Sequence, residues 1–246
     1  MKVIPVIDVL NGVVVHAVRG NRKEYQPLKS VFTSSVDSVA VAADFKLQGF
    51  SELYLADLDA ILGKMPNFDL YARIAQMGFN LMVDAGVTDI GIVKKLGDCG
   101  VSKIIIGTET LQSVDFVKEA VHQVGSNGII VSLDLKGGKV LTKSGFDGST
   151  DIFELLKLFR GMGVSEFILL DLARVGSGEG VDVELLRKVL VVLGDVGGGV
   201  YVGGGVCGVD DLLELKGLGV FGVLFASALH LGRIGVKDLK MSCLLF

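Results

Sequence analysis

Apolar positions in this chain follow two spacings that alternate from end to end. Short runs with a β-branched bias read as strands buried on both faces, and the stretches between them carry the wider spacing of amphipathic helices. The run Val3-Ile4-Pro5-Val6-Ile7 closes on Asp8, with Gly12 following. Ile129-Ile130-Val131-Ser132-Leu133 closes in the same way on Asp134, with Gly138 following. The two Asp are 126 residues apart, and so are the two Gly. Strands are predicted at that first run and over 53–58, 79–84, 103–108, 129–134, 166–171, 199–202 and 222–225. Val13 to Val18 reads as a hairpin-like extension and Gly20 to Tyr25 as an exposed loop. Helices are predicted over about 36–48, 67–77, 88–98, 112–124, 150–162, 182–193 and 209–216, before a short final helix. In the first of these, Val39, Ala42, Ala43 and Leu47 share the face expected to pack inward.

Eight βα units in unbroken succession predict an α/β fold, a single (β/α)8 TIM barrel over residues 1–246 rather than an open doubly wound sheet. The units also pair across half-barrels of about 1–125 and 126–246, which predicts an internal two-fold repeat. Leu81-Met82-Val83-Asp84-Ala85-Gly86-Val87 lies over Val200-Tyr201-Val202-Gly203-Gly204-Gly205-Val206, and Ile105-Ile106-Gly107-Thr108 over Leu224-Phe225-Ala226-Ser227. Asp57 likewise lies over Asp171.

Composition narrows the function more than the fold. A hydrophobic content of 50% supplies a large core, and 34 glycines suit many strand-to-helix turns. The net charge of −4 argues against nucleic acid as a partner, because a phosphate backbone calls for clustered Lys and Arg. Cys99, Cys207 and Cys243 are odd in number and lack metal-site spacing, so a reduced, cytoplasmic setting is expected. No basic leader opens the chain and no apolar run is long enough for a membrane span, so no membrane partner is expected. Oligomeric state is left open.

In a barrel of this kind chemistry sits at the C-terminal ends of the strands. Asp8, Asp57, Asp84, Asp134 and Asp171 are all expected there, with Glu109 just beyond the fourth strand. Repeat symmetry sets Asp8 opposite Asp134, an arrangement suited to a base and an acid acting on two faces of one substrate. Each single Asp has a plainer reading as a cap or ion-pair partner. Gly203, Gly204, Gly205, Ala226 and Ser227, and in the first half Gly86, Gly107 and Thr108, can offer backbone N–H groups to an anion. That implies two phosphate sites and a phosphorylated small-molecule substrate. For each glycine alone, close strand-to-helix packing is the plainer explanation, and Asp84 beside the first site repels an anion. Arg19, with Arg22, is a candidate phosphate partner, and Asp171 a candidate substrate contact. His16 is either a ligand contact or solvated, while His122 and His230 are structural candidates. The rim acids Asp57, Asp84 and Asp171 show no diagnostic metal spacing, so no metal is assigned, although a cationic group remains an alternative for them. No lysine is expected to end a strand, which disfavours a Schiff-base aldolase.

Together Ile4-Pro5-Val6-Ile7-Asp8, Ala56-Asp57-Leu58-Asp59-Ala60, Ile106-Gly107-Thr108, Val131-Ser132-Leu133-Asp134 and Gly203-Gly204-Gly205-Val206 resemble the histidine-biosynthesis barrel family, that of the proFAR isomerase (HisA) and its sister cyclase (HisF). The resemblance covers nearly the whole chain. It implies an Amadori-type aldose–ketose isomerisation of a phosphorylated ribosylamine without metal or organic cofactor, with Asp8 as general base and Asp134 as general acid. Val15-His16-Ala17-Val18-Arg19 lacks the lysine usual in the cyclase and favours the isomerase side. The chain departs from the isomerase pattern at Asp84-Ala85-Gly86-Val87-Thr88-Asp89, at Leu170-Asp171 with Val175-Gly176-Ser177, and at Lys143-Ser144-Gly145-Phe146. His16-Ala17-Val18-Arg19-Gly20 and Met82-Val83-Asp84-Ala85-Gly86 are closest to the HisA-related subgroup of methanogens and methylotrophs. Three functions follow as expectations: the histidine-pathway isomerase, a divergent paralogue acting on another phosphorylated or amine substrate in C1-cofactor biosynthesis, and a non-catalytic metabolite-binding barrel.

Overall fold

Parallel strand pairing closes on itself. A computed structural model describes residues 1–194 and 199–245. Its strands are β1 (Lys2–Leu10), β2 (Val13–His16), β3 (Gln26–Pro27), β4 (Glu52–Asp57), β5 (Asn80–Asp84), β6 (Lys103–Gly107), β7 (Ile129–Lys136), β8 (Lys139–Val140), β9 (Glu166–Asp171), β10 (Gly199–Gly203) and β11 (Gly222–Phe225). Around the ring run β1, β4, β5, β6, β7, β9, β10 and β11, and β11 pairs back onto β1 to complete an eight-stranded parallel (β/α)8 barrel. β1 and β7 are four positions apart in that ring and therefore stand opposite each other. The hairpin-like extension is β2, which turns back on β1 through Asn11 and Gly12. Both turn residues have positive φ, the backbone that a tight two-residue hairpin demands.

The helices α1 (Ser38–Leu47), α2 (Leu58–Ile61), α3 (Phe68–Ala75), α4 (Ile90–Asp98), α5 (Val114–Val124), α6 (Ile152–Gly161), α7 (Val183–Leu193), α8 (Val209–Gly217), α9 (Ser227–His230) and α10 (Val236–Met241) connect the strands. Side-chain caps start many of them: Asp37, Asn67, Asp89, Ser113, Asp151 and Asp182 each accept a backbone N–H of the first turn. On α1 the inward face differs from the sequence expectation. Val41, Ala42 and Phe45 are buried, while Leu47 is 83% exposed. Phe45 stacks on Phe32 and meets Phe50 edge-on, and burying that aromatic group outweighs burying one leucine. Among the described residues no helix is long and apolar enough to cross a membrane.

Strand parity divides the core in two. Ile4, Tyr54, Ala56, Met82, Ile105, Ile130, Ile168, Tyr201 and Leu224 fill the barrel interior. The alternate residues, such as Ile7, Leu55, Val83, Ile106, Val131, Leu169 and Val202, face the helices. At the bottom the filling turns polar: Lys2 pairs with Glu52 and Lys103 with Glu166, which also accepts from Tyr201.

The same parity corrects the expectation for Asp57. Asp8 is aligned with Ala56, so Asp57 points outward with Val9. Only 3% exposed, it accepts from the N–H groups of Ala60 and Asn67 and from the Tyr71 hydroxyl, pinning α2 and α3 to the strand end. Asp57→Ala is expected to lower unfolding free energy by about 2–4 kcal/mol, since three donors lose their acceptor. Urea unfolding followed by circular dichroism checks it; a loss below about 1 kcal/mol contradicts the cap assignment.

Candidate active site

The interior parity that carries Ile4 and Val6 upward delivers Asp8 at the top of β1, and by the same rule Asp84 tops β5 and Asp134 nears the top of β7. These three carboxyl groups line one cavity of about 190 Å³ at the barrel mouth. Asp8 and Asp134 come from opposite strands, and Asp84 comes from the strand midway between.

Their surroundings differ. Asp134 is 4% exposed and fixed at both oxygens: the Ser132 hydroxyl donates to Oδ1 at 2.7 Å and the Glu109 N–H to Oδ2 at 3.1 Å. Its own N–H donates to the Thr108 hydroxyl at 3.1 Å. Asp84 accepts from the Gly86 N–H at 3.1 Å and from Tyr54 at 3.4 Å. Asp8 has no hydrogen-bonding partner for its carboxyl group among the described residues, which leaves its lone pairs open to the cavity.

All three are displaced towards neutrality. Burial raises Asp8 to about 7; negative Asp84 adds to the rise and Arg22 opposes it. Burial likewise raises Asp134 to about 7, reinforced by Asp84 and opposed by the donors Ser132 and Glu109. Asp84 itself stands at about 6, raised by burial and held back by the Gly86 N–H. Three like charges in one low-dielectric cavity cannot all ionise readily, so protons are retained there near pH 7.

Arg22 and Tyr25 also line the cavity, so the predicted exposed loop folds partly inward as a short 3-10 turn over Arg22–Glu24. The Arg22 guanidinium donates to Glu109 at 2.6 Å. Tyr25 is pushed up to about 12, chiefly by burial and then by Asp8. The sequence marks Arg22, with Arg19, as a candidate phosphate partner; the 3-10 turn between β2 and β3 instead brings it into the cavity beside Glu109. Arg19 is paired with Glu179 at 2.6 Å on the surface and does not line the cavity. Asp171 is aligned with Leu135, one residue past the inward Leu170. It pairs with Arg174, caps the Ala173 N–H and does not line the cavity.

The glycine turns split between the halves. Gly203, Gly204, Gly205, Ala226 and Ser227 all line the cavity. Gly204 and Gly205 have φ near +90°, and a side chain on either would run into backbone carbonyls. The N–H groups of Gly205 and Val206 have no acceptor among the described residues, and Ser227 opens a helical turn. The Ser227 hydroxyl lies 3.1 Å from His16 Nε2, so His16 supports that turn. Gly86, Gly107 and Thr108 do not line the cavity. Gly86 gives its N–H to Asp84, and a Cβ there would sit 2.8 Å from Ile61 Cα, so only glycine packs there. Thr108 is fully buried against Asp134. Gly107 leaves room for carboxylates: a Cβ there would fall 2.9 Å from Asp134 Oδ2 and 3.7 Å from Asp84 Oδ2.

Gly107→Ala is therefore expected to displace the Asp134 carboxyl and lower turnover by at least about tenfold, with a stability loss near 1 kcal/mol. Steady-state kinetics beside thermal unfolding checks this. Unchanged kcat would show that the position tolerates a methyl group without moving the carboxyl.

A strand-ending lysine is also present, against expectation. Pairing of Leu135 with Val140 in the β8 hairpin carries β7 two residues past Asp134, and Lys136 ends the strand and lines the cavity. His230 is buried, lies 2.9 Å from Ser30 Oγ, and is lowered to about 4 by burial and then by His16.

Comparison with known proteins gives one consistent answer. The family model described as histidine biosynthesis protein matches residues 2–235. An uncharacterized protein of Methanocaldococcus jannaschii is 37% identical over 97% of this chain and 97% of its own. Two proteins named 1-(5-phosphoribosyl)-5-((5-phosphoribosylamino)methylideneamino) imidazole-4-carboxamide isomerase are also similar. The one from Halothermothrix orenii is 31% identical over 98% of this chain and 99% of its own. The one from Synechocystis is 33% identical over 97% and 91%.

Proposed function

We propose, on the premise that this chain belongs to the histidine biosynthesis protein family, that it is an aldose–ketose isomerase of a phosphorylated ribosylamine, with Asp8 as general base and Asp134 as general acid. The observation that carries the reading is the pair of near-neutral carboxyl groups presented by opposite strands to one cavity. A group at about 7 holds or accepts a proton at physiological pH with little cost in either direction.

The reaction is written within one molecule. Asp134, protonated, delivers its proton to the ring oxygen; the C1–O bond breaks and the nitrogen lone pair forms C1=N. Asp8, ionised, then removes the C2 proton, and its electron pair shifts to give the enolamine. Tautomerisation, with a proton added at C1, leaves a C2 ketone. Electrons balance without an external oxidant, because C1 is reduced as C2 is oxidised. Ser132 and the Glu109 N–H hold Asp134 in place before and after its transfer. Gly205, Val206 and Ser227 supply donors for a phosphate, and their separation from the three acids fixes which end of the sugar meets the base.

A divergent paralogue with another phosphorylated or amine substrate is the second reading, favoured by Asp84 and Glu109 in the cavity. Incubation of the full chain with the substrate named by the relatives, followed by separation of aldose and ketose forms of equal mass, tests the first. Isomerisation supports it; no ketose form at any pH between 6 and 8, with the fold intact, rejects that substrate. A non-catalytic barrel is rejected as soon as any ribosylamine phosphate is isomerised.

A further inference from the structure

We infer that the substrate carries a single phosphate, bound at the end of the cavity formed by β10 and β11, and that its other end is uncharged or amine-bearing. This rests on the isomerase reading for the chemistry at the centre, but not for the recognition at the two ends.

The ends of the cavity are chemically opposite. At one end Gly205 and Val206 offer N–H groups without acceptors among the described residues, and Ser227 adds a hydroxyl. Arg233 lines the same end, and no carboxylate pairs with it among the described residues. Its guanidinium lies against Gly178, where φ is +67° and a Cβ would collide with Nη1, and among the described residues its one polar contact is with Cys207 sulfur at 3.9 Å. An unpaired guanidinium beside free N–H groups is matched to a phosphate dianion.

At the β5–β6 end no free backbone donor lines the cavity among the described residues. Gly86, Val87, Thr88, Gly107 and Thr108 do not line the cavity, and Glu109, which does, gives its N–H to Asp134. Arg22 is neutralised by Glu109 at 2.6 Å. Among the described residues Lys136 is the remaining cation lining that side, and Asp8, Asp84, Asp134 and Glu109 outnumber it and Arg22. A second phosphate there would meet carboxylates in a low-dielectric cavity and find no oriented N–H group to replace its water. An amine or hydroxyl-bearing group would find acceptors in place.

Two probes separate the possibilities: the relatives' substrate, whose printed name contains two phosphoribosyl groups, and the same compound after removal of the phosphate from the imidazole-bound ribosyl. The ligand-induced rise in Tm of the full chain at pH 7.5 is read for each, since it needs no turnover. The monophosphate is expected to give half its maximal shift at a concentration at least tenfold lower than the bisphosphate. Arg233→Ala is expected to raise that concentration at least tenfold without changing the unliganded Tm, and Glu109→Gln to narrow the gap between the probes. An equal or better response to the bisphosphate, or no response to either, overturns the inference. Preference for the monophosphate without formation of a ketose upholds it and rejects the isomerase reading instead.

Discussion

Asp134→Asn and Asp8→Asn are each expected, on the proposed mechanism, to lower kcat/KM by on the order of 10³, the range for loss of a positioned acid or base. The two losses differ in kind. Asn at 134 keeps one acceptor oxygen, for either the Ser132 hydroxyl or the Glu109 N–H, so the fold is expected to persist while, on the proposed mechanism, the acid that protonates the ring oxygen is lost. Asn at 8 removes a group with no hydrogen-bonding partner among the described residues, so KM changes little and kcat falls. The double variant is expected to lose about as much as either single one, because ring opening and C2 deprotonation are needed in sequence. Single-turnover kinetics separates them: ring opening persists in Asp8→Asn, and hydrogen exchange at C2 is absent from both. Full turnover in either variant removes the acid–base pair from the mechanism.

Strand order and most element bounds were legible because buried parallel strands leave an unmistakable apolar run. Side-chain direction was less so, and Asp57 and Asp171 show why. Both end strands as Asp134 nearly does, but each lies one residue beyond an inward Ala56 or Leu170, and the pleat turns it towards the helix layer. Counting parity from Ile4, Val6 and Asp8 along each strand would have separated them, had the register between strands been known. The turns failed for another reason. Gly86 and Gly205 are the same residue type at matching positions, yet one N–H is used by Asp84 and the other has no acceptor among the described residues. Residue type fixes what a backbone can adopt, not which carboxylate has already claimed its donor. Arg22 and Lys136 were obscured by the short local hairpins β2–β3 and β7–β8, which neither the apolar runs nor the helical spacing announce.

The pH response of Asp84→Asn follows from the same crowding. On the proposed mechanism the productive state has Asp8 ionised and Asp134 protonated, and with both raised to about 7 kcat/KM is expected to be bell-shaped with its maximum near pH 7. Asp84 is the second contributor, after burial, to each rise. Removing its charge lowers both values together, so the bell moves to lower pH by roughly one unit and keeps its shape. Tyr54, Tyr25, Glu109 and Arg22 face the same cavity, but the substitution changes none of their charges. Stability moves the opposite way. A carboxyl raised in the folded state and near 3.8 when unfolded costs nothing below pH 4, destabilises progressively as pH rises to about 7, and is a constant penalty above. Asp84→Asn therefore gains on the order of 2 kcal/mol at pH 8 and nothing at pH 4, a difference readable by urea unfolding at the two pH values. A bell that stays at pH 7 while the alkaline stability gain appears would mean that Asp84 is buried at a cost but does not tune the pair. A gain at neither pH would mean that solvent reaches all three acids, leaving nothing in the cavity to hold protons at neutral pH.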